Sequence, residues 1–230
     1  MEKKKYAGII LAAGSGSRMK SSIPKQYIEI DNRPLIYYTL DTFERSVVDE
    51  IILVVRPGDE DYVKREIVER YSFSKVRAIV AGGDSRTMSV YNGIKASEAD
   101  YVLIHDGARA CASVELVNRM ADQVLLSPCI AAVPSKDTVK ISDSAGYVES
   151  TPKRENVYIV QTPQAFNRKE LLEAYLLLED MTPEDKSVLT DDSMIMENAG
   201  KKVRLVAGEY SNIKVTTPED LDFIKIIKKN

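Results

Sequence analysis

Residues 11–19 read LAAGSGSRM, and PKQY follows at 24–27. Gly14 and Gly16 let the backbone turn and come close to a ligand. Successive backbone N–H groups in such a turn form a concave anion site. Arg18 offers a forked contact to phosphate oxygens, and Lys25, stiffened by Pro24 before it, supplies a compact point charge. These residue types suit a polyphosphate. The loop is not a Walker A loop, because G-x-x-x-x-G-K-[ST] is absent. Nor is it a dinucleotide loop: Met19 stands where a third glycine would fall, and the run ending Val55–Arg56 brings no ribose-binding acid.

Three later segments add groups that fit the same chemistry. AGGDSRTMS offers Gly82 and Gly83 for close backbone approach, with Asp84 and Ser89 as acceptor and hydroxyl for a base or ribose. HDGAR puts Asp106 at a strand end, where a carboxylate beside a triphosphate is a natural Mg²⁺ ligand, and Arg109 three residues on can hold an anion. Lys214 lies between Ile213 and Val215, an apolar surround that is costly for a cation unless it meets an anion. His105 is the only histidine, so a Ser/His/Asp triad or a histidine-rich metal site would rest on one residue; period-two alternation turns it away from Asp106, which reads as structural. Thr190, Asp191 and Asp192 read as an acidic helix start rather than a metal pair.

Positioning these groups calls for an α/β scaffold. Short runs at 7–11, 51–55, 76–80, 101–105, 130–133 and 203–206 are apolar throughout, as in strands covered on both faces. Helical patterns at 34–45, 61–71, 87–97, 113–127, 168–179, 190–199 and 218–228 lie between them. The order predicts a doubly wound, mostly parallel Rossmann-like sheet in one domain spanning 1–230, with ligands beyond the carboxyl ends of the strands. The loops after positions 11, 80, 105 and 133 should converge, and Lys214 should lie on a short strand. Residues 136–160 read as a protruding hairpin, DTVKIS and VYIVQ around a turn near 143–146, and its exposed edges predict packing on a second subunit.

Composition bounds the partners. With 32 Lys and Arg against 35 acids the net charge is −3, so no global field draws nucleic acid, and an anionic ligand must be held by a local cation cluster. The N-terminal apolar run is too short to span a membrane. Cys111 and Cys129 lack metal-ligand spacing, and the expected setting is the cytoplasm, with thiols reduced.

AAGSGSRM followed by PKQY resembles the signature of nucleotidyltransferases that act on sugar and polyol phosphates. Within that group GGDSRTMSV, HDGARA, TPKRENVYIVQTPQAF and NIKVTTPEDL resemble the 2-C-methyl-D-erythritol 4-phosphate cytidylyltransferases, in order and nearly end to end. The resemblance implies transfer of CMP from CTP in isoprenoid precursor synthesis, with Mg²⁺, by a homodimer joined through the 136–160 arm. It implies CTP at Ala12, Ala13, Gly14, Gly16, Gly83, Asp84 and Ser89, and catalysis by Arg18, Lys25 and Lys214. It implies Asp106 near metal and substrate, and the acceptor at Arg109, Asp137, Thr138 and Thr162, with Arg154 reaching the acceptor phosphate of the neighbouring subunit. After Arg109 the family commonly has proline and an aromatic, where this chain has Ala110 and Cys111, which leaves the local loop shape open. A ribitol-5-phosphate cytidylyltransferase is the near alternative. A non-catalytic nucleotide-binding module is an alternative of another class, and a nicotinamide oxidoreductase a distant third.

Overall fold

A computed structural model describes residues 3–14, 23–182, 184, 186 and 188–229. In chain order the elements begin with strand β1 (Tyr6–Ala12), a 3-10 turn (Lys25–Tyr27), the two-residue strands β2 (Glu29–Ile30) and β3 (Arg33–Pro34), and helix α1 (Leu35–Glu44). Strand β4 (Glu50–Val55), helix α2 (Glu60–Val63, continued by π-helical Lys64–Glu69) and strand β5 (Val76–Ala81) follow. Next come α3 (Arg86–Lys95), β6 (Tyr101–Asp106), α4 (Val114–Gln123) and β7 (Cys129–Pro134). The arm carries β8 (Ile141–Ser142) and β9 (Val148–Ser150). Then come β10 (Tyr158–Asn167), α5 (Arg168–Leu176), α6 (Asp192–Asn198), β11 (Arg204–Ala207) and α7 (Pro218–Lys229).

Seven strands form one sheet in the order β11-β7-β10-β6-β1-β4-β5. All neighbours are parallel except β10, which runs antiparallel between β6 and β7. The apolar runs are strands for the expected reason. In β4, Ile51, Leu53 and Val55 face α1, α2 and α4, while Ile52 and Val54 face α3, α5 and α6, so both faces are covered. Chain order reverses beside β1, the topological position at which open α/β sheets bind ligands. Helix starts are capped by side chains: Ser85, Ser113 and Asn167 accept from the backbone N–H three residues on.

Three expectations need correcting. VYIVQ is not an arm strand; it opens β10, which enters the main sheet. The pattern was hidden because β10 carries a proline, Pro163, after a cis bond, where pairing with β7 shifts register between Val160 and Gln164. The hairpin arm is therefore shorter, β8 with β9, and its turn is held by Asp143 Oδ1 accepting from the N–H groups of Ala145 and Tyr147. Lys214 lies on an irregular segment outside the sheet, tied by Val215 N–H to the Ala108 carbonyl at 2.9 Å. The helix read from 190 begins at Asp192, capped by Asp191, whose carboxylate accepts from Met194 N–H.

A third apolar cluster lies beneath the site. It joins Ile30, Leu35 and Tyr38 to Ala108, Ala110 and Cys111 of the loop after β6, and to Val215 and Ile224 near α7. The departure at Ala110–Cys111 is thus a buried, small-residue packing surface. Cys111 and Cys129 are both buried thiols. Among the described residues no helix is long and apolar enough to cross a membrane.

Candidate active site

The loops after β1, β5 and β6 enclose a recess of about 370 Å³. Its lining includes Ala12, Ala13, Gly14, Lys25, Gly83, Asp84, Ser89, Asp106 and Lys214. A volume of that size suits a nucleotide-sized ligand. Groups nearly two hundred residues apart therefore meet on one concave surface. Gly16 and Arg18, assigned above to the same loop, fall outside the described residues.

Each wall has a local cause. Lys25 sits on a single 3-10 turn anchored on both sides of it in space. The buried Gln26 amide donates to the Ala12 carbonyl at 2.8 Å, and Tyr27 O–H donates to Asp59 at 3.0 Å. The Lys25 ammonium donates to the Val215 carbonyl at 2.9 Å, which brings it to the Lys214 segment. The loop after β5 is shaped by Ser89, whose hydroxyl accepts from Gly83 N–H at 3.1 Å and donates to the Ser85 carbonyl at 2.9 Å. Only glycine fits at position 82, since a Cβ there would lie 2.5 Å from Ala13 Cβ and 2.9 Å from Ser89 Oγ. Asp84 is exposed on the same rim.

Asp106 is the electrostatic centre. Lys214 Nζ is 2.9 Å and Arg109 Nε 3.6 Å from its Oδ2. Burial pushes the carboxyl up, but Lys214 and Arg86, then Arg109, outweigh burial and hold it at about 2. Asp106 is therefore ionised at neutral pH, and Lys214 meets the anion that its apolar neighbours demanded. Among the described residues no three acidic, histidine or cysteine groups gather to cage a metal. An ionised carboxylate at the wall of this recess nevertheless fits Mg²⁺, which keeps several waters and takes other ligands from substrate phosphates.

His105 is fully buried and its imidazole is pushed down to about 4, by burial first, with Asp106 only partly opposing it. It is neutral and both ring nitrogens are engaged, Nδ1 with Thr162 Oγ1 at 3.0 Å and Nε2 with the Arg109 carbonyl at 3.3 Å. It holds structure, as its alternation with Asp106 suggested.

A second recess, about 440 Å³, adjoins the first through Lys214. Arg109, Asp137, Gln161, Tyr210 and Asn212 line it. Thr138 is exposed on the arm one residue beyond Asp137 and lines neither recess. Thr162 is buried; its hydroxyl accepts from Asp106 N–H at 3.0 Å, so in this conformation it braces the strand end. Arg154 lies apart, in a shallow recess with Lys153 and Glu155 at the arm's return.

Sequence reasoning missed Arg86 and Gln26 in the first recess. Arg86 was legible as the one cation of GGDSRTMS; its partner Asp192, at 2.8 Å, was not. Buried Asp192 also accepts from Tyr175 O–H at 2.8 Å, and together these contacts fix the guanidinium at the recess wall.

Comparison with known proteins gives one answer along the whole chain. Residues 7–229 match the sequence model of the IspD family, 2-C-methyl-D-erythritol 4-phosphate cytidylyltransferase. A 2-C-methyl-D-erythritol 4-phosphate cytidylyltransferase of Lachnoclostridium phytofermentans is 47% identical over 227 residues, 97% of this chain and 96% of the relative. The crystal structure of the 4-diphosphocytidyl-2C-methyl-D-erythritol synthase from Anaerococcus prevotii superposes with a TM-score of 0.86 at 41% identity, covering 99% of this chain and 97% of that one. The Thermus thermophilus 2-C-methyl-D-erythritol 4-phosphate cytidylyltransferase keeps the fold at 26% identity, with a TM-score of 0.76 over 96% of this chain and 98% of that one. A polyphosphate-sized recess walled by Ala12–Gly14, two converging lysines and an ionised aspartate agrees with that match, and this chain belongs to the 2-C-methyl-D-erythritol 4-phosphate cytidylyltransferase family.

Proposed function

We infer that this chain transfers CMP from CTP to 2-C-methyl-D-erythritol 4-phosphate and releases pyrophosphate, a step of non-mevalonate isoprenoid precursor synthesis. The observation that carries the residue assignment is the convergence of Lys25, Asp106 and Lys214 on one recess. CTP occupies that recess, with its phosphates against Ala12–Gly14 and Lys25 and its base and ribose toward Gly83, Asp84 and Ser89. The acceptor occupies the second recess, against Arg109 and Asp137; Thr138 stands one residue beyond that lining, and Thr162 acts from beneath it through Asp106 N–H. Lys214 borders both and so marks the place where the reacting phosphates meet.

A phosphate oxygen of the acceptor attacks the α-phosphorus of CTP, and the bond from that phosphorus to the bridging oxygen of the β-phosphate breaks as pyrophosphate leaves. The attacking phosphate is already ionised near neutral pH, so no general base is required, and His105, neutral and engaged at both nitrogens, is not one. The protein's task is alignment and charge neutralisation. Lys25 and Lys214, with Arg18 of the glycine-rich loop, reduce repulsion between two anionic reactants and stabilise the leaving group. Asp106 would hold Mg²⁺, which when bound neutralises charge on phosphate oxygens.

The working form is a homodimer in the cytoplasm, joined through the β8–β9 arm and the exposed start of β10, with Arg154 completing the neighbouring subunit's acceptor site. Ile141, Tyr147 and Val148 on the arm and Ile159 and Val160 at its root are exposed apolar side chains that support such an interface. Pyrophosphate release measured with four nucleoside triphosphates against methylerythritol phosphate and ribitol phosphate tests the reading. Turnover is expected for CTP with methylerythritol phosphate. Preferential use of ribitol phosphate, or CTP binding without pyrophosphate release, overturns it.

A further inference from the structure

We propose that His105 and Asn212 are positioning residues of the transfer site, closing a ring of hydrogen bonds that fixes Asp106, Arg109 and Lys214 relative to one another. Asp106 N–H donates to Thr162 Oγ1 at 3.0 Å. Thr162 Oγ1 is 3.0 Å from His105 Nδ1, and His105 Nε2 is 3.3 Å from the Arg109 carbonyl. That carbonyl can only accept, so Nε2 carries the proton, Nδ1 accepts, and the Thr162 hydroxyl donates. Arg109 Nη1 then donates to the Asn212 carbonyl at 2.8 Å. Asn212 Nδ2 donates to the Thr162 carbonyl at 2.8 Å and completes the circuit. Every donor and acceptor role is consistent around the ring.

The ring ties three stretches of chain that have no sequence proximity: the end of β6, the middle of β10 and the segment leading to Lys214. His105 and Asn212 are both fully buried; neither lines the nucleotide recess, and Asn212 backs the acceptor recess. His105 holds both ends of the turn that carries Asp106 and Arg109, one directly and one through Thr162. Asn212 stands two residues before Lys214 and transmits the same constraint to it. An irregular segment outside the sheet, as this one is, has no ladder to set its register. The ring supplies that register together with the Val215 N–H bond to the Ala108 carbonyl.

The inference rests on the cytidylyl-transfer reading, and one experiment separates the two. Pyrophosphate release is followed for the wild type, His105→Phe, His105→Asn, Asn212→Leu and the Phe/Leu double variant, with both substrates varied and melting temperatures recorded. Phenylalanine keeps the ring packed 5.2 Å from Phe43 while removing both nitrogens. His105→Phe is expected to lower kcat by about 10- to 100-fold, as for misplacement of reacting groups by an ångström, with KM for CTP changed by less than about two-fold. His105→Asn keeps an acceptor at the Nδ1 position and recovers part of the loss. The double variant should be no worse than about three-fold below the poorer single variant, because one ring is broken once. If His105→Phe does not fold, Asn212→Leu and His105→Asn carry the same comparison. Wild-type kcat in a folded His105→Phe or Asn212→Leu enzyme, or multiplicative losses in the double variant, overturns the ring. So does an Asn212→Leu effect confined to the acceptor KM, which would mean direct contact with the acceptor. No pyrophosphate release from the wild type overturns the functional reading instead.

Discussion

Replacing Lys214 by methionine removes the cation shared by the two recesses. Its ammonium lies 2.9 Å from Asp106 Oδ2, with 38% of the lysine side chain and 12% of the aspartate side chain exposed. Burial opposes ionisation of Asp106, yet Lys214 first, then Arg86 and Arg109, bring its carboxyl to about 2 from an ordinary 3.8. That net depression corresponds to about 2 kcal/mol of stability at neutral pH. Lys214 is more than a third exposed, so water screens it and its own share is about 1 kcal/mol. A cation aimed at charge developing in the transition state is worth about 3–4 kcal/mol, or 100- to 1,000-fold in kcat. The activity loss should therefore far exceed the stability loss. Pyrophosphate release and urea denaturation of the same Lys214→Met preparation measure both. Because the folded carboxyl is depressed, its stabilisation is present above about pH 4 and fades as pH falls toward about 2. The urea midpoints of wild type and variant should accordingly differ at pH 7 and converge near pH 2. A folded Lys214→Met enzyme with kcat within about three-fold of wild type would refute the assignment.

Lys25→Ala is expected to lower kcat by about 100-fold with little change in the acceptor KM; normal turnover would remove Lys25 from the mechanism. Gly82→Ala drives a Cβ into Ala13 and Ser89 and should cost about 1–3 kcal/mol in urea denaturation while raising KM for CTP. Mixing inactive Lys25→Ala and Arg154→Ala subunits should restore about one quarter of wild-type activity, because half the dimers are mixed and each mixed dimer has one complete site. No recovery on mixing would place Arg154 outside the neighbour's site.

The parallel strands were legible because their burial leaves nothing to alternate: Ile51 through Val55 are all core, and the run reads apolar from end to end. Strand β10 was not, because its buried centre is polar. Gln161 pairs with the Glu209 backbone, Thr162 with His105, and Gln164 with Asp191 and the Asp192 and Ser193 N–H groups. Such residues look like a loop until their partners, distant in sequence, are in place. The same distinction divides the site. Lys25, Asp106 and Lys214 stand in motifs whose local chemistry announces an anion. Gln26, Arg86 and Asn212 act through the Ala12 carbonyl, Asp192 and the Thr162 carbonyl, pairings that only tertiary structure creates.

The bond from Lys25 to the Val215 carbonyl spans 190 residues. A chain emerging from the ribosome makes β1 and its glycine-rich loop first, yet this bond waits until nearly all the rest has been synthesised. Contacts of such separation form late in folding, after the loop-closure entropy has been overcome. Nucleotide, whose site needs both ends of the chain in place, therefore stabilises the finished fold rather than templating its early steps.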